Sequence, residues 1–178
     1  MMKKHIVIAG QRQVGKSTLV NRLLTDCEKS IYGFRTAKGG SLDEGYRSFY
    51  MHPANGLEKK ESGENLIGKS NGVNRTFYAE TFDNYGVKCL DAKPDGIILM
   101  DELGFMENDA ELFKAKVIEC LDGDIPVIAT VKAGIDTDFL NSIINHPKAD
   151  VYYIKKDNRD ELYEQLRAIW HKYMGEYK

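Results

Sequence analysis

The residues best suited to chemistry stand near the N-terminus, where a glycine-rich segment follows the apolar run Ile6-Val7-Ile8-Ala9. This segment satisfies the pattern G-x-x-x-x-G-K-[ST] between a short buried strand and a helix. Its two glycines let the backbone curl so that successive N–H groups converge on an anion at a helix N-terminus. We therefore predict a phosphate-binding loop that holds a nucleoside triphosphate. Its predicted nucleotide contacts are Gly10, Gln11, Arg12, Gln13, Val14, Gly15, Lys16, Ser17 and Thr18.

Two side chains of this loop have predicted roles beyond holding phosphate. The ammonium group of Lys16 is expected to reach the β- and γ-phosphates, where it would act in catalysis. The hydroxyl of Ser17 is expected to ligate Mg²⁺, which makes Mg²⁺ the predicted cofactor.

A pair of acids, Asp101 and Glu102, directly follows the apolar strand Ile97-Ile98-Leu99-Met100. The carboxyl ends of parallel strands meet at one edge of a sheet, so the pair is expected beside the phosphate-binding loop. We assign Asp101 to the metal, because a carboxylate at this edge holds Mg²⁺ through its water shell. Glu102 points elsewhere by strand alternation and is predicted to be the catalytic base that orients water toward the γ-phosphate.

A cation near the transferred phosphoryl group would further stabilise the transition state. The sequence offers four positions for it, with the last two slightly favoured: Arg35, Lys38, Arg47 and Lys132.

Alternating strand and helix patterns predict an α/β fold of the P-loop NTPase type, a three-layer sandwich with a mostly parallel sheet and the loop after strand 1. Gly39-Gly40 is expected to interrupt the strand pattern, and Leu112 is expected to face the core. A single domain is predicted over residues 1–178, with 54–75 as a hairpin or mobile loop. Predicted strands cover 4–9, 31–34, 46–51, 97–100, 126–131 and 151–154. Predicted helices cover 17–28, 76–90, 109–121, 137–145 and a final segment opened by a capping box at 158–161.

Composition narrows the classes of partner. The 178 residues are 42% hydrophobic and 29% charged, as in soluble globular proteins, and the net charge is -2. No basic field recruits nucleic acid or an anionic membrane, and no apolar stretch is long enough to span one. Three well-separated cysteines fit neither a disulfide framework nor a zinc site, which favours a cytoplasmic protein. The oligomeric state stays open.

Three blocks resemble the small nucleoside-triphosphatase family that includes the human cancer-related nucleoside-triphosphatase. They are the loop with the following Gly33-Phe34-x-Thr36 turn, the segment Asp101-Glu102-Leu103-Gly104-Phe105-Met106-Glu107, and Asp157-Asn158-Arg159-Asp160-x-Leu162. The second block is similar to the family's Asp-Glu-Ile-Gly-Lys-Met-Glu. The resemblance implies slow, Mg²⁺-dependent hydrolysis of ATP, GTP and related triphosphates with broad base tolerance. Phe105 stands where the family carries Lys, and the segment 39–47 holds fewer basic residues than its Arg-rich counterpart in the family.

Three alternatives remain. A regulatory GTPase would share Asp101-x-x-Gly104, but Ile154 replaces the Asn that reads guanine, and its side chain has no polar atom. A small-molecule P-loop kinase would close an Arg-bearing lid over its donor, and the sequence has no Arg-rich segment after residue 121 suited to this. A nucleotide-dependent regulatory or adaptor protein would use the triphosphate to set the shape of residues 36–75.

Overall fold

The chain is built on one mixed β-sheet whose strands lie in the order β5-β4-β3-β2-β6-β7-β1-β8. The structure is a computed structural model that describes residues 3–25, 27–56 and 60–174. Strands β2, β6, β7, β1 and β8 are parallel, whereas β3, β4 and β5 extend the sheet antiparallel. The strands are β1 (His5–Gly10), β2 (Ile31–Ser41), β3 (Arg47–Pro53), β4 (Leu66–Ser70), β5 (Arg75–Phe77), β6 (Ile97–Leu103), β7 (Val127–Lys132) and β8 (Ala149–Tyr153).

Helices cover both faces of the sheet. They are α1 (Lys16–Leu24), α2 (Ala79–Thr81), α3 (Val87–Cys89), α4 (Glu111–Asp122), α5 (Asp138–Ile144) and α6 (Arg159–Tyr173), with a π-helical turn Phe82–Gly86 between α2 and α3. Strand β1 is buried on both sides: Ile6 and Ile8 pack with α1 and α6, while Val7 packs with α4 and α5. Unbroken apolar runs form such central strands because both of their faces are covered.

The second strand is longer than its sequence suggests. The expected interruption at Gly39-Gly40 is wrong, since β2 continues to Ser41. A Cβ at Gly39 would lie 2.4 Å from Oγ of Ser48 and 2.5 Å from the ring of Tyr50. Glycine is therefore required here so that β3 side chains can pack across the strand.

Other boundaries differ in detail. Helix α1 ends at Leu24, short of the predicted 28, and Asp26 lies outside the described residues. Leu112 is 66% exposed, so its expected place in the core is wrong. The capping box is also wrong, because the Asn158 side chain makes no cap hydrogen bond to α6. Within the described residues, no helix is long and apolar enough to cross a membrane.

The segment that follows β3 turns back onto the sheet. Residues 66–77, which include the end of the segment expected to be a hairpin or loop, form an antiparallel hairpin of β4 and β5. Residues 57–59 lie outside the described residues. The hairpin and β3 form a wall beside the carboxyl ends of the parallel strands.

Candidate active site

The phosphate-binding loop, residues 10–18, joins the end of β1 to the start of α1. A Cβ at Gly10 would lie 2.6 Å from Cγ2 of Ile154, so the backbone here packs directly against the chain leaving β8. Gly15 has φ 103° and Gln13 has φ 61°, which are left-handed conformations that fold the loop tightly. Glycine adopts this conformation without the steric penalty of a Cβ.

Lys16 lies across this loop. Its Nζ donates hydrogen bonds to the carbonyl oxygens of Gly10 at 2.8 Å and Gln11 at 2.7 Å. Burial lowers the pKa of Lys16, while the negative charges of Glu102 and Asp101 act in the opposite direction. The ammonium group therefore lies within electrostatic reach of both acids that the sequence singled out.

The structure brings Ser17 and Asp101 into direct contact. Oδ1 of Asp101 accepts hydrogen bonds from Oγ of Ser17 at 3.1 Å and from Oγ1 of Thr130 at 3.0 Å. Oδ2 lies 3.3 Å from Nη1 of Arg35, which forms an ion pair with it. Asp101 is only 6% exposed, so its carboxylate is held rigidly beside the helix N-terminus.

Glu102 reaches the same cleft through a break in strand alternation. The pairing of β6 with β7 slips between Met100 and Leu103, and Glu102 adopts φ 85°. Its N–H donates a 2.7 Å hydrogen bond to Oγ1 of Thr130. The prediction that Glu102 points away from Asp101 is therefore wrong, because this bulge turns both acids toward one cleft.

Thr130 is a residue of the candidate site that sequence reasoning missed. It is fully buried on β7, accepts from the backbone of Glu102 and donates to Asp101. Its only sequence signal is a polar residue inside the apolar run of a central strand, where buried polar groups need partners.

The turn after the acids is held by a second carboxylate. Oε1 of Glu107 accepts a 2.6 Å hydrogen bond from the N–H of Gly104. Glu107 is 1% exposed, and burial raises its pKa to about 7, with a smaller contribution from the charge of Glu102. This internal bond fixes the turn that carries Phe105 and Met106 into the cleft.

Residues of the loop, the two acids, Thr130 and the turn after the acids line one cleft of about 620 Å³. Of the predicted loop contacts, six line it, whereas Gly10, Gln11 and Val14 do not. Of the predicted cations, Lys38 and Lys132 line it, Arg35 is paired with Asp101, and Arg47 lies outside the lining. The predicted site residues that line the cleft are Arg12, Gln13, Gly15, Lys16, Ser17, Thr18, Asp101 and Glu102.

A sheet with helices on both faces, a glycine-rich loop after its first strand and acids at the neighbouring strand ends define the class of P-loop nucleotide-binding proteins. The model of a family described as NTPase matches residues 5–167 of the chain. The chain is therefore an enzyme of the NTPase family, which confirms the resemblance drawn from its sequence.

Relatives and solved structures agree with this assignment. The nucleoside-triphosphatase THEP1 of Methanocaldococcus jannaschii is 27% identical over 170 residues, covering 90% of this chain and 94% of its own. THEP1 of Aquifex aeolicus is 27% identical over 177 residues, covering 92% of this chain and 97% of its own. Its crystal structure aligns with a TM-score of 0.70 at 22% identity over 93% of this chain and 98% of its own. The solution structure of a human cancer-related nucleoside triphosphatase aligns with a TM-score of 0.63 at 19% identity, over 95% of this chain and 98% of its own. The predicted α/β fold is confirmed.

Proposed function

We propose that this enzyme hydrolyses ATP, GTP and other nucleoside triphosphates to the diphosphate and phosphate, with Mg²⁺ and little discrimination among bases. The observation that carries this proposal is the 3.1 Å contact between Ser17 and Asp101, beside the phosphate-binding loop and in the same cleft as Glu102.

The donor set suits Mg²⁺. Ser17 and Asp101 supply hard oxygen ligands. Mg²⁺ characteristically binds one or two protein oxygens and completes its octahedron with phosphate and water oxygens. Bound at these two residues, it would neutralise negative charge on the β- and γ-phosphate oxygens.

The remaining chemistry belongs to the chain. The N–H groups of the loop and the ammonium group of Lys16 hold the β- and γ-phosphates. The carboxylate of Glu102 accepts a proton from water as the water oxygen forms its bond to the γ-phosphorus. The bond from that phosphorus to the β,γ-bridging oxygen breaks, and the nucleoside diphosphate leaves with the electron pair. The hydrogen bond from Glu102 N–H to Thr130 sets the backbone from which this carboxylate projects.

Lys132 is the cation best placed to assist. It ends β7, is paired in register with Gly10, and its charge contributes to lowering the Lys16 pKa. Lys132 and Lys16 line the same cleft, where the γ-phosphate would gather negative charge. We assign to Lys132 the role that the family's lysine at position 105 would otherwise take.

Arg159 offers a contact that does not discriminate among bases. A Cβ at Gly15 would lie 3.3 Å from Cδ of Arg159, so this side chain covers the loop on the β8 side. Asn158 instead holds its own turn, with Oδ1 accepting from Lys155 N–H and Nδ2 donating to the Tyr153 carbonyl. A guanidinium plane stacks on any base, because every base has a π-face.

Phosphate release from ATP, GTP, CTP and UTP with Mg²⁺, compared with and without a chelator, tests the proposal. Lys16→Ala is expected to lose nucleotide binding. Glu102→Gln should retain binding and hydrolyse about 10²-fold or more slowly, as expected when a positioned base is removed. Unchanged hydrolysis by Glu102→Gln would refute the role of Glu102. A GTP-over-ATP binding preference near a hundredfold would instead favour a regulatory GTPase.

A further inference from the structure

The cleft continues past the phosphate-binding loop onto the antiparallel part of the sheet. Four residues on adjacent strands are paired in one row there: Lys38 with Phe49, Phe49 with Gly68, and Gly68 with Phe77. Residues paired across strands present their side chains to the same face. Lys38, Phe49 and Phe77 accordingly all line the cleft, and they form its far wall.

The glycine in this row makes a flat platform. A Cβ at Gly68 would lie 2.5 Å from Cδ1 of Phe77, so the aromatic ring rests directly on the backbone of β4. Any larger residue at this position would clash with the ring. The next row of the same face, Ser70 paired with Arg75, also lines the cleft and brings a guanidinium group beside the platform.

Phe105 and Met106, from the turn after β6, line the cleft next to this platform. The rings of Phe77 and Phe105 meet edge to face with centroids 5.5 Å apart. The Arg75 guanidinium carbon lies 5.3 Å from the Phe105 centroid, and the Lys132 ammonium nitrogen lies 4.8 Å from it. The rings of Phe77 and Phe105 therefore lie together with two cations, Arg75 and Lys132, in one part of the cleft. We call this part the aromatic chamber and define it by Phe49, Phe77, Phe105, Met106 and Arg75.

A nucleotide bound as proposed above leaves the aromatic chamber open. The phosphate-binding loop follows β1, and Arg159 covers Gly15 on the side toward β8, which is one edge of the sheet. Strands β2 to β5 lie in the opposite direction, beyond β7 and β6. A triphosphate on the loop with its base toward Arg159 thus extends away from the chamber. Its γ-phosphate, near Lys132 and Glu102, would face the chamber.

We propose that the aromatic chamber is a second binding site, which takes a planar heteroaromatic anion such as a nucleoside monophosphate beside the γ-phosphate of the first nucleotide. The rings supply stacking surface for the heteroaromatic part, and Arg75 and Lys38 pair with its phosphate. This inference rests on the proposed function, because the first nucleotide must occupy the phosphate-binding loop.

Equilibrium dialysis of labelled GMP against protein saturated with Mg²⁺ and ADP tests the proposal, since ADP already fills the loop. We expect about one equivalent of GMP to bind, and ribose 5-phosphate, which lacks the ring, to bind at least about tenfold more weakly. Phe77→Ala and Arg75→Gln should each weaken GMP binding about tenfold or more. ATP affinity and basal phosphate release should stay within about twofold, because neither side chain contacts the loop.

Val73→Ala is the matched control, since Val73 is 87% exposed at the tip of the same hairpin. Phe77→Leu keeps an apolar side chain on Gly68 but has no ring to stack, so it should also lose GMP binding if the protein remains folded by circular dichroism. Failure of GMP to bind the ADP-loaded wild type, equal binding of ribose 5-phosphate, or unaltered binding by both Phe77 variants would overturn the proposal. Absence of ATP binding by the wild type would instead refute the proposed function.

Discussion

Replacing Glu107 by Gln should change how the stability of this enzyme depends on pH. The Glu107 carboxylate is buried in the turn that follows the two acids and accepts from Gly104 N–H at 2.6 Å. Gln retains a carbonyl oxygen that can accept this bond, but it carries no charge at any pH. The substitution therefore separates the cost of a buried charge from the hydrogen bond that holds the turn.

The expected size of the pH-dependent change in stability follows from the pKa of Glu107, which burial raises from its ordinary 4.5 to about 7. Between these values the folded protein binds more protons than the unfolded chain, so the free energy of unfolding falls as pH rises. Each pKa unit corresponds to about 1.4 kcal/mol, which gives about 3 kcal/mol of stability present below pH 4.5 and lost above pH 7.

Urea denaturation at intervals between pH 4.5 and 8.5 measures this loss. The free energy of unfolding of the wild type, minus that of Glu107→Gln at the same pH, should fall by about 3 kcal/mol from pH 4.5 to pH 8.5. Glu80→Gln, at an exposed position, serves as the control and should leave the difference flat. A Glu107→Gln variant that follows the wild-type pH profile throughout would refute the idea that burial of this carboxyl governs the change.

Three further changes have definite expected results. Thr130→Val removes the hydroxyl that donates to Asp101. It should lower the free energy of unfolding in urea by about 1–3 kcal/mol, and it should lower kcat more than it raises KM. Thr130→Ser keeps the hydroxyl and should retain wild-type stability and kinetics. Gly33 has φ 97°, and Gly33→Ala would place a Cβ 1.9 Å from the carbonyl oxygen of Leu99 on β6. This variant should therefore lower the free energy of unfolding by more than about 3 kcal/mol in the same assay. Gly40→Ala should not, because the space around Gly40 is open. Burial lowers the pKa of His5 to about 4, so the stability it contributes above pH 6.5 is lost as pH falls through 4, and His5→Phe should show a correspondingly smaller acid loss in denaturation measured from pH 7 to 4.

The parallel half of the fold was predictable because its signals are local. The apolar run of β1 and the glycine pattern after it specify a buried strand and a tight turn within a dozen residues. The position of Asp101 beside the loop also follows from the rule that parallel strands end at one edge of the sheet. Its contact with Ser17 required no information beyond the order of strands and helices.

The arrangement of Glu102 could not be predicted from local patterns. A side-chain period of two places neighbouring strand residues on opposite faces. The bulge that overrides this period depends on Thr130, which is 28 residues further along the chain and offers its hydroxyl to the Glu102 backbone. A non-glycine residue at φ 85° is disfavoured by itself, so only the packed sheet and this hydrogen bond hold it there.

The antiparallel wall was predicted only in part, for a related reason. A strand over 46–51 and a hairpin or loop over 54–75 were expected, whereas the continuation of β2 to Ser41 was not. Gly39-Gly40 is a normal signal for a turn, yet here Gly39 makes room for Tyr50 of the neighbouring strand. Gly68 likewise looks like a loop residue until Phe77 is paired opposite it. In both places the glycine serves a side chain from another strand, which a reading of consecutive residues cannot reveal.

Phe105 connects the two halves of the cleft and bears on the missing lysine of the family pattern. An aromatic ring attracts cations to its face, and the Lys132 ammonium nitrogen lies 4.8 Å from the centroid of Phe105. The ring thus holds a lysine from β7 near the place where the family carries one at position 105. Lys132 is paired with Gly10 at the start of the loop, so under the proposed function its charge would act at the phosphate end of the cleft. Phe105 also meets Phe77 edge to face, so this one ring links Lys132 to the rest of the aromatic chamber.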